Sequence, residues 1–558
     1  MEKPAVPISN AGRAFAPPPS HRASGRPKTW RILSALEWVV TAGTTLLALH
    51  LHFVFLRHAG ALWRDEVSSI DLADLPGFLP LWTMLTHDSF PLLWSLILRC
   101  WETIGLGDTD MHLRWLGFFV GIFLLASIWI AGGLISGRAP LIALALFALS
   151  ATTVWSGDSL RAYGIGTGLV ILAVTFLWRF YKRPTTRNGV MAAGLAILSV
   201  QCLYQNAFLL LAAGLSASLL AAIQKKWRTA GWIVALGAIA AISLLPYLPQ
   251  IARSQDWWML EKSGFHPEQL WLKASQALGF PLPWFNLVWV GLAALALLLG
   301  GAQLLRVRKE EQDAESREIT YFAALSLILG LTGFVLFLKL ASLPTQPWYY
   351  LPLMGFVVLC IDLVLSNTLW IRPFLVVFTV AIAPLSHRAA QPILQNRQTN
   401  MDLLAAQLSR EAGPNDLIVI NNWYCGVTFQ RYYRGGTPWV TLPPLTDLTI
   451  HRYDLMKLEM QKPAAIQPVL DSVATALRSG HRVWLVGRIP LDGQAPPKIQ
   501  PAPNNPWGWL VFPHTQVWAA ELGYLVARHA TDAQRFPTTP AVNPLENVEI
   551  ASITGWRE

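Results

Sequence analysis

Three short stretches carry the residue types that chemistry needs. Trp63–Arg64–Asp65–Glu66 sets two carboxylates side by side. His87–Asp88–Ser89–Phe90–Pro91–Leu92 follows in the same stretch between apolar runs, and Asp158–Ser159–Leu160–Arg161–Ala162–Tyr163 forms a compact polar turn further on. Carboxylates of this kind act as general bases or ligate a hard cation through oxygen. Arginine offers a planar fork that binds phosphate oxygens in pairs. Each stretch also has a plainer reading. An acidic pair is often a solvated loop, and Arg161 at a helix end can simply snorkel to the membrane interface. Gln205–Asn206 in a short turn and Trp348–Tyr349–Tyr350 at the start of an apolar run are weaker signals, the latter having the makeup of an interfacial aromatic belt.

The elements that must hold these residues are membrane helices. Of 558 residues, 53% are hydrophobic and only 14% charged, and 26 are tryptophan. The mean hydropathy is +0.39. Ordinary soluble domains are about a quarter charged, so a soluble enzyme, a disordered chain and a fibrous one are all excluded. About 20 apolar residues cross a bilayer as a helix. On that ruler eleven spans are expected, at 33–56, 114–136, 139–156, 163–181, 189–204, 206–224, 229–250, 284–305, 319–340, 349–366 and 370–386. Residues 90–105 are apolar but short, which predicts an interfacial or re-entrant helix. Residues 1–32, rich in Pro, Ala and Arg, read as a disordered tail.

The net charge of +10 comes from short Lys and Arg clusters between the spans. That pattern belongs to membrane orientation and not to a nucleic-acid-binding face. With the amino terminus in the cytoplasm, Arg138, Lys182, Arg183, Lys225 and Lys226 all fall inside. The loop 57–113, with three basic residues against eight acidic ones, then falls outside. So do the turns at 156–164 and 204–206 and the loop 251–283, whose polar residues Asp256, Glu261, Lys262 and His266 suit a lid. The four cysteines show no metal or redox spacing.

Beyond residue 390 the composition turns soluble. DLIVINN (416–422) and HRVWLVG (481–487) read as buried strands, with an amphipathic helix over 464–479. A small α/β domain over 391–558 is expected, and the odd span count places it outside. The fold class is therefore a polytopic α-helical membrane protein with a C-terminal soluble α/β domain.

Asp65–Glu66 after the first span, Asp88–Ser89–Phe90–Pro91–Leu92, Arg114 behind Gly105 and Gly107, and Asp158–Ser159–Leu160–Arg161–Ala162–Tyr163 follow one another in a familiar order. In this order the chain resembles the GT-C superfamily of polyprenyl-phosphate-sugar-dependent glycosyltransferases. Within it, the chain is similar to the bacterial family-39-like enzymes, relatives of protein O-mannosyltransferases and of the lipid A aminoarabinose transferase. Phe90 stands where that family commonly has His, Leu92 where it has a second Pro, and Asp158 where it has Glu.

The resemblance implies an integral protein of the bacterial inner membrane with its site and C-terminal domain periplasmic. Its partners would be a polyprenyl-phosphate sugar donor, a lipid, glycan or protein acceptor, and membrane lipids. The expected reaction is a single inverting displacement. Asp65 takes the acceptor proton or orients the hydroxyl, and Glu66 acts beside it. His87, Asp88, Arg114, Asp158, Arg161, Tyr163, Gln205, Asn206 and Tyr349 would bind substrate. A divalent cation, if one takes part, would be held by Asp65 and Glu66; no other cofactor is implied. The competing reading is a multi-span transporter or flippase, which would carry ionisable residues within its spans.

Overall fold

The computed structural model describes residues 28–258, 265–305, 314–341, 344–504, 511–537 and 541–558. The expected disordered tail lies outside these residues up to position 27, and helix begins at Lys28. Glu261 and Lys262 of the expected lid also lie outside them.

Among the described residues, nine helices are long and apolar enough to cross a membrane. They are Thr29–His58, Asp110–Ser136, Tyr163–Lys182, Asn206–Ile223, Trp227–Arg253, Phe285–Gln303, Ala314–Ala341, Pro347–Asn367 and Leu369–Leu394. The two remaining expected spans are not single membrane-length helices, which corrects the count of eleven. The stretch 139–156 breaks into a π-helical turn, Ala143–Ala148, and a helix, Ala151–Gly157, because Ser150 is extended between them. Its first turn is capped by the Asp362 carboxylate, which accepts from the amides of Ile142 at 2.7 Å and Ala143 at 3.2 Å. The other piece, Thr186–Val200, has 15 residues, about 22 Å of helix.

Charges buried within the spans have partners. Glu37 on the first helix accepts from the Arg372 Nε at 2.7 Å and Nη2 at 2.5 Å, tying the first span to the last. Both side chains are buried. A charge is tolerated in hydrocarbon when its partner comes with it.

The loop 57–113 is folded, not solvated. It contains the helices Arg64–Ala73, Phe78–Met84 and Leu92–Trp101. The last is the short helix expected at 90–105, and it buries Trp94, Ser95 and Leu98. Its Arg99 donates to the carbonyls of Ala73 at 2.8 Å, Leu75 at 2.7 Å and Gly77 at 3.0 Å. These are orphan acceptors past a helix end, which a guanidinium satisfies well.

The C-terminal domain is built on a five-stranded sheet: β1 Leu417–Ile420, β2 Trp439–Thr441, β3 Val483–Val486, β4 Asp532–Phe536 and β5 Ile550–Thr554. The order is β2-β1-β3-β5-β4, with β2, β1 and β3 parallel and β5 antiparallel to both β3 and β4. The predicted strands and the helix Gln467–Arg478 are present. Buried cores form on both faces of the sheet, around Trp423 and Val473 on one and Phe429 and Trp484 on the other.

Candidate active site

Asp65 and Glu66 occupy the first turn of the helix Arg64–Ala73. Successive helical residues point about 100° apart, and here that separates them completely. Glu66 is fully buried. Its Oε1 accepts from Arg114 Nη1 at 2.5 Å and from the Leu160 amide at 3.0 Å; its Oε2 accepts from Arg114 Nη2 at 2.9 Å and the Trp63 amide at 3.3 Å. Arg114 is equally committed, since Nε donates to the Gly60 carbonyl at 3.2 Å and Nη2 to that of Ala61 at 2.9 Å. This pair locks the start of the loop to the second span and to the turn before Tyr163. The Asp65 carboxylate faces the other way and makes no hydrogen bond among the described residues. Its nitrogen neighbours include Arg64 Nε at 3.6 Å and His451 Nδ1 at 4.0 Å.

The polar turn at 158–162 joins the helices Ala151–Gly157 and Tyr163–Lys182. It is fixed at Leu160, whose amide reaches Glu66 and whose carbonyl accepts from the Trp94 indole at 3.1 Å. Arg161 thereby projects back over the acidic helix. Its Nη1 donates to the Asp65 main-chain carbonyl at 3.0 Å and to Ser69 Oγ at 2.6 Å, while Nη2 reaches Asp88 Oδ1 at 3.4 Å. The guanidinium lies 4.4 Å above the Phe90 ring. Three of its five N–H groups are used in these contacts. Burial pushes the Asp88 carboxyl above its ordinary range, and Arg161 opposes that rise.

Asp65 and Arg161 line one narrow cleft together with Trp63, Trp155, Ser156, Ser159, Tyr163 and Trp348. Tyr163 stands edge-on to Phe90 and stacks on Tyr349, with centroids 5.1 and 6.0 Å apart. Trp63, Trp155 and Trp348 contact one another. The cleft thus has aromatic walls with one carboxylate and one guanidinium set in them.

The other candidates lie around this centre. Asp158 is buried, with both oxygens 2.8 Å from His52 Nδ1. Gly121 passes so close that an added Cβ would stand 2.3 Å from Asp158 Oδ1 and 2.5 Å from His52 Nδ1. Gln205 donates to the Tyr349 carbonyl at 3.0 Å, and Asn206 to the Gly166 carbonyl at 2.9 Å and to Ser199 Oγ at 3.0 Å. These amides brace helices. His87 faces the C-terminal domain, 3.7 Å from Asp454 Oδ1.

The two acids expected to share a cation point apart in the structure. Both Glu66 oxygens are turned to Arg114 and two amides, so the adjacent acids do not present a common ligand set. Among the described residues, no group of three or more His, Cys, Asp or Glu is placed to hold a metal ion.

Several contributors were invisible in the sequence because they belong to the C-terminal domain. Arg64 donates its amide to Glu546 Oε2 at 2.9 Å and Nη1 to the Leu545 carbonyl at 3.0 Å, and its guanidinium lies 4.5 Å over Tyr424. Tyr432 accepts from the Leu62 amide at 2.7 Å and donates to Asp110 Oδ2 at 2.8 Å. Gln398 accepts from the Trp155 indole beside the cleft. The domain therefore sits directly on the acidic helix. Burial pushes the Glu546 carboxyl up to about 6, with Arg64 pulling the other way.

Fold and site together define a polytopic helical membrane protein with an extramembrane α/β domain closing over an acid–arginine cleft. No protein-family model matches the chain, and no curated protein is significantly similar to it. In structure it is similar to ArnT from Cupriavidus metallidurans bound to undecaprenyl phosphate, at 13% identity and TM-score 0.49, over 80% of this chain and 92% of that one. It is also similar to the Archaeoglobus fulgidus oligosaccharyltransferase tethered with an acceptor peptide, at 10% identity and TM-score 0.48, over 82% and 69%. The archaeal oligosaccharyltransferase AglB from the same organism, in complex with an inhibitory peptide and a dolichol-phosphate, matches at 12% identity and TM-score 0.43, over 80% and 69%.

Proposed function

We propose that this chain is an inverting glycosyltransferase that moves a hexosyl or pentosyl group from a polyprenyl-phosphate donor to an acceptor hydroxyl at the outer membrane–water boundary. The observation that carries the reading is the cleft where Arg161, held by the Asp65 carbonyl, Ser69 and Asp88, stands beside an Asp65 carboxylate that makes no hydrogen bond among the described residues.

The two Arg161 N–H groups outside those contacts are donors for the donor's phosphate, whose developing charge they stabilise as the bond to the anomeric carbon breaks. The acceptor oxygen forms its bond to that carbon from the opposite side. Its proton passes to Asp65, or is oriented by it until it leaves to water. Asp88 steadies Arg161, and the sugar ring, which gains positive charge in the transition state, is met by the Asp65 carboxylate in the cleft. Glu66 and Arg114 serve as positioning residues, since their polar atoms are spent on each other and on the backbone. Lys and Arg placement supports a cytoplasmic amino terminus, and with it a periplasmic cleft in a bacterial inner membrane.

The ionisable groups inside the spans weigh against a transporter. Glu37 pairs with Arg372, His52 with Asp158 and Lys182 with Glu318, and Asp362 caps a broken helix. Mass spectrometry of envelope glycans and glycolipids, with and without the gene, tests the proposal. A sugar missing from one component names donor and acceptor; an unchanged profile contradicts it.

A further inference from the structure

The C-terminal domain presses the segment 447–454 against the first loop. Ile450 packs with Leu72, Leu81, Leu85 and Tyr247. Arg452 braces the segment from within, donating to Asp454 at 2.9 and 2.7 Å and bonding Asp447. Between these anchors the His451 amide donates to Ser68 Oγ at 3.4 Å, and its Nδ1 lies 4.0 Å from Asp65 Oδ1. The side chain is buried and its Nε2 makes no hydrogen bond.

We propose that His451 is a positioning residue for Asp65, delivered by the C-terminal domain. Its Nδ1–H holds the carboxylate in the orientation that meets the acceptor hydroxyl. The inference rests on the role given to Asp65 above.

Three observations support it. First, the Asp65 carboxylate has no hydrogen bond among the described residues: Arg64 Nε stands 3.6 Å away while its Nη1 bonds the Leu545 carbonyl and the guanidinium lies over the Tyr424 ring. A movement of about 1 Å brings Nδ1 into bonding range. Second, the main chain of His451 is pinned on the acidic helix by its amide bond to Ser68 Oγ at 3.4 Å, which holds the ring beside Asp65. Third, the groups around it are Asp65, Arg64 and Arg161, with the rings of Trp423 and Tyr453. Burial pushes the imidazole down to about 4, Asp65 pulls it up, and the two arginines lower it further. The ring is therefore neutral at physiological pH, and facing a carboxylate it carries its single proton on Nδ1. A neutral donor orients Asp65 without cancelling its charge. In the transfer the acceptor proton goes to Asp65, the new carbon–oxygen bond forms as the bond to phosphate breaks, and His451 keeps its own proton.

The test uses the full-length protein in nanodiscs, with His451→Ala, His451→Asn and Asp65→Asn. The Asn amide takes the place of Nδ1. Binding of undecaprenyl phosphate is followed by tryptophan fluorescence, and transfer is measured from a panel of undecaprenyl-phosphate hexoses and pentoses over pH 5–9. The expected result for His451→Ala is a kcat lowered about 10–100-fold, with donor KM and carrier binding unchanged and the acid limb moved to higher pH. His451→Asn recovers most of the rate. Wild-type kcat and pH profile in His451→Ala, with Asp65→Asn inactive, overturns this proposal alone. Equal losses in Ala and Asn variants with a lowered Tm overturn it too, by reducing His451 to a structural part. Transfer retained by Asp65→Asn overturns the role given to Asp65, whereas absence of transfer by the wild-type protein from every donor overturns the function itself.

Discussion

Arg161 donates to the main-chain carbonyl of Asp65 at 3.0 Å across 96 residues of sequence. The contact binds a turn between two membrane helices to the first turn of the outer loop. It also sets the Arg161 guanidinium on the helical turn that bears the Asp65 carboxylate.

Arg161→Lys keeps the charge and loses the fork. One ammonium cannot hold Ser69, the Asp65 carbonyl, Asp88 and a phosphate together. Each lost bond to a charged group is worth about 1.5–3 kcal/mol, so undecaprenyl phosphate binding falls at least roughly tenfold. Fluorescence titration measures it.

Glu66→Gln or Arg114→Met leaves an uncompensated buried charge or donor set, at about 3–5 kcal/mol. The double variant loses less than the sum of the single ones, because neither charge is then stranded. Thermal unfolding in detergent, followed by near-UV circular dichroism, reads both effects.

Gly121→Ala drives a methyl between Asp158 and His52. Overpacking of this kind costs about 1–3 kcal/mol. Because Asp158 begins the turn that carries Arg161, transfer falls along with Tm, and Gly121→Ser behaves in the same way.

Glu546 has its carboxyl raised from an ordinary 4.5 to about 6, chiefly by burial. The folded state then holds the proton more tightly than the unfolded one. Its contribution is full below about 4.5 and is lost as pH rises through about 6, roughly 2 kcal/mol in all. Hydrogen exchange of residues 541–548 is expected to quicken between pH 5 and 7, beyond its intrinsic pH dependence, and Glu546→Gln removes the excess.

The apolar runs announced the helical body because bilayer thickness fixes span length. Of the two pieces that failed that ruler, one is a short helix, Thr186–Val200, and the other contains features hydropathy does not register. Ser150 breaks the second, and Asp362, distant in sequence, caps it. The cleft was legible where one side chain suffices: Asp65, Asp88, Arg161 and Tyr163 stood out by type and spacing, and they meet in space. Glu66 reads like Asp65 in sequence, yet one helical step turns it into the Arg114 pocket. His451 and Glu546 gave no signal, since only docking of the C-terminal domain brings them to the acidic helix.

The most direct measurement is transfer by Asp65→Asn in nanodiscs, beside undecaprenyl phosphate binding by the same preparation. The account predicts wild-type carrier binding, because Arg161 and its backbone anchor are untouched, with transfer lowered by about 10²–10⁴-fold through loss of the base. Transfer near the wild-type rate would contradict it.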